Sequence, residues 1–85
     1  MDVTWKPVRN ADAARSRLPA SAFAFPMERK EPLTDASHVR SAVTRFTRVE
    51  GVTDSERNQA FANIKAAAAY FGVTVAAKSW HDLVG

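Results

Sequence analysis

The sequence predicts a mainly α-helical fold, in which an irregular N-terminal arm packs on an αα-hairpin and a short C-terminal helical turn closes one end. Three observations support this prediction. All four prolines lie within the first 32 residues, where they oppose a regular helix. From residue 33 onward the apolar residues follow a helical period instead. The length of 85 residues allows one small domain, 1–85, with the arm over 1–32 and the helical part over 33–85.

Composition excludes several classes of protein. The chain has no cysteine, which rules out disulfides and cysteine-based zinc or iron–sulfur sites. The first seven residues lack the apolar stretch of a signal peptide, and the longest apolar run, 66–71, is far shorter than the roughly 20 residues that span a bilayer. We therefore expect a cytoplasmic protein. A net charge of +3 favours acidic partners.

The arm begins with a candidate helical piece at 11–17. Asn10 is its candidate N-cap, and the alanines that follow favour helix. This piece must stop before Pro19, because proline disfavours helical backbone in the residue before it.

The arm continues as an extended segment that carries two aromatic rings. Phe23 and Phe25 alternate with small residues, and this period of two places both rings on one side of an extended chain. Pro19 and Pro26 bracket the segment, which argues against a central strand. We expect the arm to lay Leu18, Phe23 and Phe25 onto the helices.

The first helix is predicted at about 35–50. Thr34 or Asp35 can cap its N-terminus, and Gly51 is placed to end it as a glycine in left-handed conformation. One face is apolar at the spacing of an α-helix: Val39, Ala42, Val43, Phe46 and Val49.

The second helix, predicted at 54–71, has the clearest start signal in the chain. Thr53 and Glu56 match the capping box, in which each side chain bonds the backbone amide of the other. Gly72 is its predicted C-cap. Only Gly51-Val52 separates this helix from the first, and so short a link favours an antiparallel αα-hairpin.

The last part of the chain carries weaker signals. The segment 73–75 is either an extended connector or a short strand. Ser79 and Asp82 form a weaker capping-box match, and the turn that they open brings Trp80 and Leu83 onto the core. The complete predicted core is Leu18, Phe23, Phe25, Leu33, Val39, Val43, Phe46, Phe61, Ile64, Ala68, Phe71 and Trp80.

Two long segments resemble a known group of proteins. The segment 18–26, LPASAFAFP, and the segment 29–40, RKEPLTDASHVR, are similar to the LPxSAFAFP and RKxPLxDxxHVR segments of small uncharacterised bacterial and phage-associated domains. The pairs 45–46 and 56–57 and the alanine-rich helix before 71–73 are also similar. The resemblance spans roughly 15–75 and implies one folding unit, a phage or prophage association and no known activity.

No arrangement of residues indicates catalysis or a cofactor. His38 and His81 lie far apart, unlike the paired histidines of helical zinc sites, and Asp35 is better explained as a cap. Ser21, His38 and Asp35 could be drawn as a triad, but the chain has no nucleophile elbow and no glycine-rich oxyanion or phosphate loop. We predict no enzyme, no metal and no cofactor.

A basic face on the first helix is a candidate contact for nucleic acid or an acidic partner. Arg40, Thr44 and Arg48 follow a helical row with Arg45 nearby, and Arg29 and Lys30 add charge from the arm. Exposed arginines can contact phosphates. The alternative is a solvated face whose arginine stems cover apolar surface.

A row of small residues on the second helix is a candidate protein contact. Ala62, Ala66 and Ala69 would allow another helix to approach closely, and Tyr70 lies beside them. The alternative is that this row packs against the arm or the C-terminal turn of the same chain. We predict a small non-catalytic interaction module with a protein partner, and as the alternative a modest, non-sequence-specific nucleic-acid binder.

Overall fold

The computed structural model describes residues 3–8 and 17–84, so the helical piece predicted at 11–17 lies almost wholly outside the described residues. The described residues contain three α-helices and one two-stranded antiparallel sheet. The elements, in chain order, are β1 (Phe23–Phe25), β2 (Lys30–Pro32), α1 (Ala36–Arg45), α2 (Asp54–Phe71) and α3 (His81–Val84). Short 3-10 turns precede β1 at Ala20–Ala22 and follow α1 at Phe46–Arg48. The largely helical character agrees with the prediction.

The part of the arm with Phe23 and Phe25 is extended as predicted, but it is a regular strand that pairs with a second one. Phe23 pairs with Pro32, and Phe25 pairs with Lys30. The prolines do not prevent this pairing, because Pro26 lies in the turn and Pro32 is the last residue of β2. Both strands of a two-stranded sheet are edge strands, where proline is tolerated. Residues 23–32 of the arm therefore form a β-hairpin that packs β1 against α2 and β2 against α1.

The hairpin has two non-glycine residues in the left-handed region, one at the end of its turn and one in β2. Arg29 has φ of 53° and Glu31 has φ of 58°. A left-handed residue at the end of a hairpin loop is usually glycine or asparagine, and a side chain there costs about 1–3 kcal/mol. Arg29 offsets part of this cost, since its Nη2 donates to the carbonyl oxygen of Leu18 at 2.6 Å and its guanidinium lies 4.8 Å from the Phe23 ring centre.

Helix α1 starts as predicted but ends early. Asp35 is the N-cap and accepts from the His38 amide at 2.8 Å. The α-helix stops at Arg45 and tightens into the 3-10 turn, which buries both Phe46 and Val49. Gly51 has φ of 75° but lies in the link to α2, so the prediction that it directly ends the first helix is wrong.

Helix α2 has the predicted bounds and both predicted caps. The Thr53 amide donates to Glu56 Oε1 at 2.8 Å, and the Glu56 amide donates to Thr53 Oγ1 at 3.1 Å. Gly72 ends the helix at φ of 73°. Helices α1 and α2 contact each other, and their antiparallel arrangement stays a prediction.

The C-terminal turn forms with different caps from those predicted. The Asp82 carboxylate accepts from the Lys78 amide at 2.9 Å, and the Asp82 amide donates to the Ser79 carbonyl. Trp80 is buried and Leu83 packs on the core. Residues 73–77 form a connector without regular structure.

Most of the predicted core residues are buried in the structure. Ten of the twelve are buried, while Val43 and Phe71 are partly buried at the edge of the core. Leu18 and Phe23 form a separate small cluster with Ala22. The main core also holds Trp5, whose indole Nε1 donates to the Leu33 carbonyl at 3.0 Å.

Asn63 is a buried polar residue in the middle of α2 that the sequence did not predict. Its side chain is fully buried. Its Oδ1 accepts from the amides of Thr4 and Trp5 at 2.9 and 3.0 Å, and its Nδ2 donates to Thr4 Oγ1 and the Ala24 carbonyl, both at 2.9 Å. One side chain thus joins α2 to the segment 3–8 and to β1.

None of the helices in the described residues combines the length and the apolar character that a membrane span requires.

Candidate binding cleft between α1 and β2

A polar cleft of about 340 Å³ lies between α1 and β2. Glu31 and Pro32 of β2 form one wall, and His38, Ser41 and Arg45 of α1 form the other. The three helix residues are spaced at i, i+3 and i+7, so they share one side of α1, within about 60° around its axis at roughly 100° per residue. The hairpin supplies the opposite wall, because β2 packs against α1.

His38 is held at the cleft by the N-cap of its own helix. Its Nδ1 lies 2.8 Å from Asp35 Oδ1 and 3.3 Å from Thr34 Oγ1. The Asp35 carboxylate accepts hydrogen bonds from the His38 amide and from the His38 ring. Both hold the pKa of Asp35 below its ordinary value, and the bond from the amide has the larger effect. Both side-chain contacts use Nδ1, so Nε2 is the ring nitrogen left for a ligand among the described residues.

Glu31 and Arg45 bring opposite charges to the same cleft. Neither side chain forms an ion pair with any residue in the described ranges 3–8 and 17–84. Arg45 is exposed and Glu31 is half-buried. The cleft therefore offers an anion, a cation, a hydroxyl and an oriented imidazole to one ligand.

The predicted basic residues of α1 do not all lie on one side of the helix. Arg40 and Arg45 lie about 140° apart around α1 at roughly 100° per residue. Arg48 belongs to the 3-10 turn, and the hydroxyl of Thr44 donates to the carbonyl oxygen of Arg40. Of the predicted arginines on α1 and its 3-10 extension, the structure places only Arg45 in the cleft.

The two basic residues of the hairpin have contacts within the chain. Arg29 bonds Leu18 and covers Phe23. Lys30 is exposed, and its Nζ lies 3.5 Å from the carbonyl oxygen of Glu50. These contacts give Arg29 a structural role in the hairpin.

The small-residue row of α2 is partly covered by the chain itself. Ala62 and Ala66 are half-buried, and Ala66 packs on the core. Ala69 is exposed, and Tyr70 is 63% exposed. The Trp5 ring meets Tyr70 edge-on, with 5.7 Å between centres, so the segment 3–8 reaches the Tyr70 end of this row.

A smaller pocket lies beside the hairpin turn. It has a volume of about 60 Å³ and is lined by Phe25, Pro26, Met27, Glu28, Glu56 and Gln59. Met27 is 87% exposed at its edge. A hydrogen bond between the Glu28 and Glu56 carboxyl groups raises the pKa of Glu28, with partial burial adding to the rise, and lowers the pKa of Glu56.

Sequence reasoning identified part of the cleft. Arg45 was predicted as a contact residue, and the spacing of His38, Ser41 and Arg45 on one side of a helix is visible in the sequence. Glu31 was missed because the hairpin was not predicted. In the described ranges, no three His, Cys, Asp or Glu side chains lie close enough together to hold a metal ion.

Comparison with known proteins identifies the family of the chain but no activity. The family model described as a family of unknown function (DUF6582) matches residues 6–78, which is most of the chain. No curated protein and no solved structure matches it. The matched range contains both walls of the cleft and all of helices α1 and α2. The chain therefore belongs to DUF6582, a family of unknown function.

Proposed function

We propose that this protein is a small non-catalytic interaction module that binds a segment of a protein partner in the cleft between α1 and β2. The observation that carries the proposal is the placement of Arg45, His38, Ser41 and Glu31 around one space of about 340 Å³. Three of these four are charged or can become charged, and within the described residues, none of the four forms an ion pair except His38, which pairs with Asp35.

The mixed charge of the cleft favours a protein partner over a nucleic acid. A nucleic-acid backbone presents only negative charge, and binding follows the number of phosphates that lysine and arginine neutralise. The carboxylate of Glu31 would oppose a phosphate near Arg45, and the carboxylate of Asp35 lies next to His38. A protein segment can present donors, acceptors and charges of both signs.

Nucleic-acid binding through the basic face is the second candidate. Arg40, Arg45 and Arg48 are all exposed, and none forms an ion pair with a described residue. Such arginines can contact phosphates without reading sequence. Because Arg40 and Arg45 lie on different sides of α1, the three arginines cannot all contact the same stretch of a nucleic-acid backbone.

The biological setting is a separate part of the proposal. The resemblance of the two segments 18–26 and 29–40 to bacterial and phage-associated domains supports a phage-related role. The family description supports neither this setting nor another.

A site-specific crosslinking experiment tests the partner proposal. A photoreactive amino acid replaces Ser41 in the cleft of the full chain, and in a matched variant it replaces the exposed Ser55 on α2. We expect protein crosslinks from position 41 that are lost with Arg45→Glu and are absent from position 55. Crosslinks that are equal at both positions, or unaffected by Arg45→Glu, would overturn the proposal.

A titration separates the second candidate. Labelled duplex and single-stranded DNA are titrated by fluorescence anisotropy at low and at near-physiological salt. Binding that weakens steeply with salt and is lost when Arg40, Arg45 and Arg48 become alanine would favour nucleic acid. No binding at low salt would remove this candidate.

A further inference from the structure

Glu31 and Arg45 present an unusual combination, because they share one cleft and yet remain separate. Opposite charges on facing elements can form an ion pair when their side chains meet. Here, neither side chain has an ion pair with any residue of the described chain, although both line the same space. A ligand that enters the cleft therefore meets a free anion and a free cation on opposite walls.

The position of Glu31 adds to this observation. It sits in β2 with φ of 58°, in the left-handed region where residues with a side chain are disfavoured. The described contacts of Arg29 offset the cost at Arg29, but Glu31 has no hydrogen bond from its side chain to another described residue. Glycine would remove the strain, and it would also remove the carboxylate from the cleft.

We propose that the cleft is a two-point site for a dipolar protein segment, which places a basic group against Glu31 and a carboxylate against Arg45. This inference rests on the proposed function. Ser41 and the Nε2 atom of His38 lie on the Arg45 side, where they complete the carboxylate end of the site with hydrogen bonds. Glu31 sets the specificity, since it rejects segments that carry only negative charge.

This division of roles follows from electrostatic complementarity. Matched charges at the edge of an interface add modest affinity, while a like charge in the same place lowers it. A segment with two acidic groups would gain at Arg45 and lose at Glu31. A segment with one acid and one base, at a spacing that spans the cleft, would gain at both ends.

The test uses the full chain and three kinds of short Gly-Ser peptide. One kind carries one Lys and one Glu at varied spacing, one carries two Glu, and one carries two Lys. Binding is followed by amide shifts in NMR spectra of isotope-labelled protein. We expect the Lys/Glu peptide, at its best spacing, to bind about threefold or more tighter than the other two, and to shift the amides of Glu31, Ser41 and Arg45.

Charge reversals assign the two ends. Glu31→Lys should transfer the preference to the two-Glu peptide, Arg45→Glu should transfer it to the two-Lys peptide, and the double reversal should restore the Lys/Glu peptide. Glu50→Lys and Arg40→Glu make the same charge changes outside the cleft and should leave the preference unchanged. Glu31→Gln, which removes the charge at equal size, should reduce the discrimination against the two-Glu peptide.

The outcomes separate this inference from the proposed function. If the two-Glu peptide binds best through Arg45 and Glu31→Gln changes nothing, the two-point site is wrong while a protein-binding cleft stands. If no peptide shifts the cleft amides, the two-point site is wrong, and the crosslinking experiment at position 41 decides the proposed function independently. If the control reversals change the preference equally, the effect is one of net charge, which also overturns the inference.

Discussion

Replacing Asn63 by alanine is expected to destabilise the fold more than any surface change. The side chain is fully buried and makes four hydrogen bonds to the segment 3–8 and to β1. Alanine removes all four at once. It leaves the buried Trp5 amide without the acceptor that it has in the native structure.

The size of the effect follows from these bonds. Each intramolecular hydrogen bond contributes about 1 kcal/mol net, and a buried polar group left without a partner costs about 1–3 kcal/mol. Thr4 is exposed, so water can replace part of its loss. The expected loss is about 3–5 kcal/mol, against a total stability of roughly 4–13 kcal/mol for 85 residues.

Denaturant unfolding followed by circular dichroism and tryptophan fluorescence measures this loss. The control is Asn58→Ala, because Asn58 is exposed and accepts one hydrogen bond, from Trp80 Nε1 at 2.9 Å. We expect the control to lose about 1 kcal/mol. A loss below about 1 kcal/mol for Asn63→Ala would refute the reasoning, since it would mean that the four bonds contribute nothing beyond hydration.

Asn63→Asp offers an independent check of the same contacts. The introduced carboxylate can accept from the Thr4 and Trp5 amides, but its second oxygen faces the Ala24 carbonyl, where Nδ2 donates in the native protein. Burial and this repulsion raise the pKa of the introduced group. The variant should therefore gain stability as pH falls, opposite in sign to a carboxylate whose pKa is lowered by folding. An unfolding free energy that does not depend on pH more than that of the wild type would contradict this assignment of the amide.

Three further predictions concern packing and pH. Phe46→Ala should lose about 3–5 kcal/mol of unfolding free energy, since Phe46 is buried against Phe25 and Trp80; an unchanged melting temperature would contradict the core assignment. Folding lowers the pKa of Asp35, so its contribution is present above the ordinary value and is lost as pH falls through the lowered one. Asp35→Ser keeps an N-cap and should make the acid loss smaller in urea unfolding below about pH 4; an equal loss would refute the assignment. Folding raises the pKa of Glu28, so its contribution is full at low pH and is lost as pH rises through the raised value, while the lowered pKa of Glu56 acts in the opposite direction. Glu28→Gln keeps a donor for Glu56 at every pH, so its melting temperature should not fall as pH rises through the raised pKa of Glu28. A fall equal to that of the wild type would show that the pair does not contribute to stability.

The sequence predicted those elements whose signals are local. Helix α2 has a capping box at one end and a left-handed glycine at the other, and both signals lie within a few residues of the helix ends that they determine. The start of α1 at Asp35 is of the same kind. Apolar periodicity then identified most of the core, because it reports which side of each helix is buried.

The hairpin was not predicted because its turn has Arg29, and not glycine or asparagine, in the left-handed conformation. Residues 26–29 connect the strands, and the left-handed position at the end of this turn is Arg29 instead of glycine or asparagine. A second left-handed residue, Glu31, lies in β2. Arg29 is stabilised by its hydrogen bond to the Leu18 carbonyl oxygen, and no signal in the local sequence predicts this bond. Glu31 was missed for the same reason, so Arg45 is the residue of the cleft that was predicted as a contact.

Asn63 could not be predicted from an alanine-rich helix, where asparagine ordinarily lies at the surface. Its partners lie 39, 58 and 59 residues away in the chain. The early end of α1 has a similar origin. It depends on the burial of both Phe46 and Val49, which requires the rest of the core to be in place.

The bonds of Asn63 also determine when the fold can be completed during synthesis. Trp5 leaves the ribosome long before Asn63, from which it is separated by 58 positions. Until α2 emerges, the Trp5 ring and the rings of β1 lack the helix that covers them, and exposed apolar surface of this kind promotes aggregation. The segment 3–8 is thus made well before the helix that holds it in its final place.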